Sequence, residues 1–206
     1  MANAIILHGK PQKSTYFSHD LPSASNDIWI PWLQNELTIM GISAQTPDML
    51  NAWQPDYRIW KKEFERYDIT PETLLVGHSA GGGFIVQWLS EHPDVCVGHV
   101  FLVAPSLGDR FTPNDKFDYP VLGGMFEFDI DPALMGRVKS LTVFHSDNDG
   151  NRVKASVRYI RDALPNIEYK EFHNYGHFRG KRDMQSDAFP ELLAAITLKI
   201  GPVVVR

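Results

Sequence analysis

The sequence predicts an α/β fold, a doubly wound and mostly parallel sheet flanked by helices, and three observations carry that expectation. Short continuous apolar runs such as Ala4–His8, Gly98–Val103 and Leu141–His145 stop at glycine or polar residues before reaching helical length, the pattern of strands buried on both faces. Between them, apolar residues recur every three or four positions, as amphipathic helices require. The two kinds of segment alternate along the chain, and strand–helix–strand units in series imply parallel strands joined by right-handed crossovers.

Composition bounds the rest. With 206 residues the chain is long enough for one substantial core and short for two, so a single domain over 1–206 is expected. Hydrophobic residues at 43%, aromatic at 12% and charged at 22% are ordinary for a globular protein and argue against disorder. A formal charge of −5 disfavours nucleic acid or an anionic membrane surface as partner, because both require a clustered basic face and Lys181-Arg182 is too short to make one. The single cysteine, Cys96, cannot form an internal disulfide; beside an apolar strand it reads as a buried, inert thiol in a reducing compartment. Met1–His8 has no basic leader and soon turns polar, so neither a secretion signal nor a membrane span is expected and the cytoplasm is the expected location.

Taken in order, Ala4–His8 is the first core strand, stopped by Gly9. From Lys10 to Asn26, prolines, serines and isolated aromatics follow no period; a connection of that length needs a task, and the expected one is a wall of the functional site. Ser25-Asn26-Asp27 offers N-cap residues, and Ile28, Trp32, Leu33, Leu37 and Met40 follow helical spacing up to Gly41, with Pro31 early enough to be tolerated. Ile42–Thr46 is a second strand, and Trp53 in the loop after it reads as a packing residue. Tyr57, Trp60, Phe64 and Tyr67 form the stripe of the next helix, which ends before Ile69-Thr70-Pro71. Thr73–Val76 is the third strand, Phe84–Leu89 lies in the helix after it, and Glu91-His92-Pro93 breaks that helix before the strand Gly98–Val103. From Ala104 to Gly136 no period persists. Phe111, Phe117, Tyr119, Phe126 and Phe128 mark it as either an excursion over the site or a surface connection whose aromatics patch the core. A strand at Leu141–His145, a helix at Val153–Leu164, a strand at Ile167–Phe172 and a helix at Ala188–Ile200 complete the series.

The chemistry centres on Leu74-Leu75-Val76-Gly77-His78-Ser79-Ala80-Gly81-Gly82-Gly83, a strand running into a glycine-framed serine and then a helix. A serine hydroxyl attacks well when a tight turn holds it above the sheet edge, and such a turn leaves no room for side chains two residues to either side, where Gly77 and Gly81 stand. The bland alternative is a glycine-rich turn with Ser79 as an ordinary N-cap. As a nucleophile, Ser79 needs a base and the base needs an orienting acid, on loops at the carboxyl ends of later strands and in the order serine, aspartate, histidine. Two loops offer them: Ser146-Asp147-Asn148-Asp149-Gly150, and His173-Asn174-Tyr175-Gly176-His177-Phe178.

His177 is the preferred base, because Gly176 permits a tight turn and Phe178 can anchor the loop, whereas His173 at the strand end can simply pack. Asp149 is the preferred acid, lying further past its strand and able to turn back toward the histidine loop. Asp147 remains the second candidate, and either aspartate could instead form an Asx turn capping the helix near Val153. The N–H of Ala80, together with that of Gly9 or Lys10, would face the developing oxyanion. His19, His78, His92, His99 and His145 read as structural or surface residues, His78 being tied to the turn at Ser79. His173 and His177 lie on a glycine-bearing loop without the helical face that a metal pair needs, so no metal and no cofactor is expected.

Ala4-Ile5-Ile6-Leu7-His8-Gly9, Ile30-Pro31-Trp32-Leu33, Thr46-Pro47-Asp48-Met49, Gly77-His78-Ser79-Ala80-Gly81, Ser146-Asp147-Asn148-Asp149 and Tyr175-Gly176-His177-Phe178, in that order, resemble the small serine hydrolases of the retinoblastoma-binding-protein-nine and YdeN-like family. The resemblance spans nearly the whole chain. It implies an α/β-hydrolase fold with little or no cap, and a triad of Ser79, Asp149 and His177. Gly150-Asn151-Arg152-Val153 departs from the family's spacing, which keeps Asp147 beside Asp149, and the long Lys10–Asn26 segment keeps substrate preference from being transferred. The expected function is hydrolysis of a small-molecule ester, thioester or amide through an acyl-enzyme on Ser79. The alternative is a protein-interaction module with a weak triad and a protein partner still to be identified.

Overall fold

The computed structural model describes residues 3–112 and 120–201, and in them a six-stranded parallel sheet is flanked by helices. The strands β1 (Asn3–Leu7), β2 (Ser43–Gln45), β3 (Leu74–His78), β4 (Val97–Val103), β5 (Val138–Ser146) and β6 (Glu168–Phe172) lie in the order β2-β1-β3-β4-β5-β6, each neighbouring pair parallel. The helices are α1 (Lys13–Tyr16), α2 (Ile30–Ile39), α3 (Tyr57–Phe64), α4 (Ala80–Glu91), α5 (Asn151–Ala163), α6 (Lys181–Met184) and α7 (Pro190–Ile200). From β1 the chain crosses to β2 at one edge, while from β3 it crosses the other way to β4. That reversal opens a crevice beyond the carboxyl ends of β1 and β3, where ligands bind in open α/β sheets. Gly9 and Ser79 stand at its two sides.

Burial explains the sequence patterns. Every residue of β3 is buried, and β1 is buried from Ala4 to Leu7, so both read as unbroken apolar runs. The edge strands β2 (Ser-Ala-Gln) and β6 (Glu-Tyr-Lys-Glu-Phe) carry polar residues because no residue of either is fully covered. Helix α4 is buried from Ala80 through Leu89, so it is apolar all round instead of amphipathic. The stripe of α3 docks on it: the Phe84 ring centroid lies 5.7 Å from Tyr57, 5.8 Å from Trp60 and 5.4 Å from Phe64. Among the described residues no helix is long and apolar enough to cross a membrane.

Some local expectations are corrected. The second helix begins at Ile30 and not near Ile28, because Ile28 has φ 55° and Trp29 caps the helix while its indole is buried in the core. The closing helix starts at Pro190 because the residue before a proline is disfavoured in α conformation, which leaves Phe189 as a buried cap. The Lys10–Asn26 segment holds the short helix α1 and a 3-10 turn at Ala24–Asn26, and α6 follows the histidine loop; both α1 and α6 are too short to show a period. Cys96 is exposed, since it sits just before β4 begins and so outside the sheet.

The described parts of Ala104–Gly136 patch the core. Met125 and Phe126 are buried, the Phe126 N–H donates to Gln87 Oε1 at 2.7 Å, and Gln87 Nε2 donates to the Gly124 carbonyl at 3.0 Å, satisfying a buried amide in mid-helix. Phe117 and Tyr119 lie outside the described residues. Because Phe84 is the hub of the α3–α4 contact, Phe84→Ala should lower unfolding stability by about 3–5 kcal/mol, read as a shifted urea midpoint.

Candidate active site

Ser79 stands alone between the last residue of β3 and the first of α4, with φ 53° and ψ −117°. Such a conformation costs a non-glycine residue on the order of 1–3 kcal/mol and persists only where its surroundings enforce it. Here the Ser79 N–H donates to the Val103 carbonyl at 2.9 Å, and the Ser79 carbonyl accepts from Gly83 at 3.1 Å and Ser106 at 2.9 Å. A Cβ at Gly77 would lie 2.6 Å from the Gly82 nitrogen, and one at Gly81 2.6 Å from the His8 carbonyl oxygen. A Cβ at Gly9 would lie 2.9 Å from that of Ser79, so the end of β1 is pressed directly against the turn.

The structure brings Ser79, His177 and Asp149 together. His177 Nε2 is 2.9 Å from Ser79 Oγ, and His177 Nδ1 is 2.9 Å and 3.1 Å from the two oxygens of the buried Asp149 carboxylate. An ionised carboxylate only accepts, so the imidazole proton sits on Nδ1 and Nε2 is left to accept from the serine hydroxyl. Asp147 pairs with His173 instead, and this His173 side chain is 82% exposed. The Asn174 backbone N–H, and then His173, hold the Asp147 carboxyl below its usual range. Each of the two loops thus supplies one member of two parallel aspartate–histidine pairs, of which the Asp149–His177 pair reaches Ser79.

The expected oxyanion donors lie on the two segments that meet at Ser79. Ala80 opens α4, where the first N–H groups have no intrahelical acceptor, and Gly9 and Lys10 line the same cavity as Ser79. His8 fixes that loop. Its Nε2 accepts the Met49 N–H at 3.0 Å, which makes Nδ1 the donor to the Gly9 carbonyl at 2.7 Å. In a planar trans peptide, holding the Gly9 carbonyl also aims the Lys10 N–H in the opposite direction. Burial keeps His8 neutral by lowering its pKa, against the raising effects of the Gly9 carbonyl and Asp48.

The loop carrying His177 is clamped from several sides. His78 Nε2 donates to the His177 carbonyl at 2.8 Å, and the indole of Trp29 donates to the Phe178 carbonyl at 3.0 Å. One oxygen of Asp183 accepts the His177 N–H at 2.9 Å and the Arg179 N–H at 3.0 Å, while the Arg179 guanidinium grips both oxygens. Burial alone would raise the Asp183 pKa; Arg179 and these amides outweigh it and hold the carboxyl below its usual value. Phe178, buried with φ 56°, anchors the turn. Sequence reasoning singled out the His8-Gly9 pair but missed Trp29, Asp183 and the role of His78 toward His177. Trp29 and Phe178 are 149 positions apart, so no local pattern links them.

The cavity beside Ser79 has a volume of about 280 Å³, and Pro11, Thr15 and Ala24 from the Lys10–Asn26 segment form one wall, as its length suggested. Arg179 and Arg182 border the histidine side. The described residues contain no cluster of histidine, cysteine or acidic side chains able to hold a metal ion. His78 is buried, and desolvation, reinforced by the neighbouring His177, pushes its pKa down to about 3 from an ordinary 6.5. Below pH 6.5 the unfolded chain therefore binds a proton at this site that the folded chain refuses, and stability falls as pH drops. Lowering the pH from 6.5 to 5 should cost about 2 kcal/mol through His78, and urea midpoints should depend less steeply on pH in His78→Gln.

Comparison with known proteins agrees with this architecture. YdeN, a hydrolase of Bacillus subtilis, is 34% identical over 82 residues, which is 39% of this chain and 43% of the relative, so that alignment spans less than half of the relative's length. The crystal structure of the B. subtilis ydeN gene product superposes with a TM-score of 0.76 at 22% identity, covering 97% of this chain and 99% of that one. The esterase domain of a Rhodothermus marinus protein gives 0.59 at 16% identity, covering 95% and 86% of the two chains. At these identities the structural matches establish the α/β-hydrolase fold. The model of the serine hydrolase family matches residues 17–186, and the chain belongs to that family.

Proposed function

We propose that the chain hydrolyses a small ester, or a related thioester or amide, through an acyl-enzyme on Ser79, with His177 as base and Asp149 as its orienting acid. The observation that carries this reading is the continuous hydrogen-bonded chain from Ser79 Oγ through both ring nitrogens of His177 to Asp149. His177 Nε2 takes the hydroxyl proton as Ser79 Oγ bonds to the acyl carbon, and Asp149 stabilises the imidazolium that forms. The N–H of Ala80, with that of Gly9 or Lys10, supports the oxyanion. As the tetrahedral intermediate collapses, Nε2 returns the proton to the leaving group. Water then repeats the sequence in reverse, releasing the acid and free Ser79. All of these groups belong to the chain, so the reaction as written uses no cofactor. The motif resemblance to retinoblastoma-binding-protein-nine-like hydrolases belongs to the same reading, and the esterase domain among the fold relatives makes esters the first substrates to try.

A fluorophosphonate probe should label the wild type and fail to label Ser79→Ala, which should also lose at least about 10³-fold in kcat on short activated esters. Absence of both labelling and turnover in the wild type would leave an interaction scaffold as the function. On the same esters, Asp149→Asn should lower kcat by about 10²–10⁴-fold, while Asp147→Asn, whose amide oxygen can still accept the Asn174 N–H and which otherwise faces the exposed His173, should stay within about threefold of wild type.

A further inference from the structure

The pocket at Ser79, about 280 Å³, falls just short of the roughly 300–1,000 Å³ typical of small-molecule sites. A second hollow of about 490 Å³ adjoins it, and the two share His8, Pro11, Thr15 and Ala24 as common walls. The second hollow runs between the Lys10–Asn26 segment and the loop after β2, and ends against Leu21, Met49 and Leu50. Leu21 is 49% and Leu50 56% exposed, and Phe17 on the same segment is 57% exposed. Exposed large apolar side chains grouped at the mouth of a cavity mark a binding surface, whereas scattered ones need no explanation. Two of the polar groups nearby tie the two loops together: Tyr16 Oη accepts the Asn51 N–H at 3.1 Å, and Asp48 Oδ1 accepts the Ser25 N–H at 3.3 Å. Beside its polar groups, the hollow offers a ligand an apolar side formed by Leu21, Pro22, Met49, Leu50 and Ala52.

Its position selects which part of the substrate it holds. The leaving group must receive a proton from His177 Nε2, so it lies toward His177, Arg179 and Arg182. None of those residues borders the second hollow, which meets the pocket at the walls formed by His8, Pro11, Thr15 and Ala24. Resting on the proposed acyl-enzyme reading, the geometry points to this hollow as the acyl-chain subsite, taking the unbranched apolar tail of a medium-length acyl ester. Ser79 and the shared walls hold the carbonyl, and the tail passes Thr15 and Ala24 to lie between Leu21 and Leu50.

The test is a comparison of kcat/KM for p-nitrophenyl acetate and p-nitrophenyl hexanoate in the wild type, in the double variant Leu21→Ser/Leu50→Ser, and in Leu50→Trp, which fills the hollow. Both positions of substitution are exposed, so the fold should tolerate them. The wild type should prefer hexanoate by about tenfold or more, since each methylene in an apolar pocket discriminates substantially. The hexanoate-to-acetate ratio should fall at least fivefold in both variants. A wild-type ratio of one or less, or ratios within twofold of wild type in both variants, overturns the subsite, while acetate turnover and Ser79 labelling would still uphold the hydrolase reading. Failure of the wild type to turn over either ester overturns the subsite, and overturns the hydrolase reading as well if the fluorophosphonate probe also fails to label Ser79.

Discussion

The backbone at Ser79 exists only where β1, β3 and α4 approach more closely than side chains allow. Gly81 lies where a Cβ would strike the carbonyls that end β1, and Gly77 where one would strike the first turn of α4. This close approach sets the positive φ of Ser79, lifts its hydroxyl above the sheet and aims the start of α4 at the same point. It also fixes where the loop after β1 must run, because Gly9 touches Ser79. The crevice that the strand order opens between β1 and β3 is therefore filled with backbone polar groups, held by glycines that no other residue could replace without moving a strand.

A rigid serine is useful only beside an equally fixed imidazole. The His177 loop contains positive φ values at Asn174, Gly176 and Phe178, a backbone course that the chain would not adopt unaided. Side chains stabilise it by completing hydrogen bonds to its backbone: His78 and Trp29, from distant positions, to the His177 and Phe178 carbonyls, nearby Asp183 to the His177 and Arg179 amides, and Asp147, Ser146 and Asn148 to the Asn174, Tyr175 and Gly176 amides. Two buried histidines, His8 and His78, serve as neutral hydrogen-bonding parts and not as acids or bases. Desolvation keeps them unprotonated, which preserves their tautomers and hence the loops they hold.

The alternation of apolar runs and helical stripes made the parallel sheet legible because the interior strands are buried on both faces and the α3 stripe of Tyr57, Trp60 and Phe64 is buried on one side of its helix. Boundaries were less legible where a tertiary contact displaced them: Ile28 falls outside α2 because the chain turns there to place Trp29 in the core, and Cys96 falls outside β4 by a single residue. At the site, Ser79 was legible because its glycine frame is a local steric requirement. The aspartate and histidine were legible as two loops in which turn geometry favoured Asp149 and His177, while Asp147 and His173 satisfy the same ordering rule. The two pairs run side by side in the fold, one exposed and one directed at Ser79, a difference that depends on contacts across the sheet.

The sequence by itself determined the fold class, the turn at Ser79 and the two loops that face it, because each depends on short-range sterics or on hydrophobic periodicity. Tertiary structure decided which aspartate and histidine meet the serine, which side chains clamp the histidine loop, and that the Lys10–Asn26 segment lies between two adjoining hollows. Those outcomes depend on strand order and on contacts between residues far apart in the chain, and distance through space is information that a linear pattern does not carry.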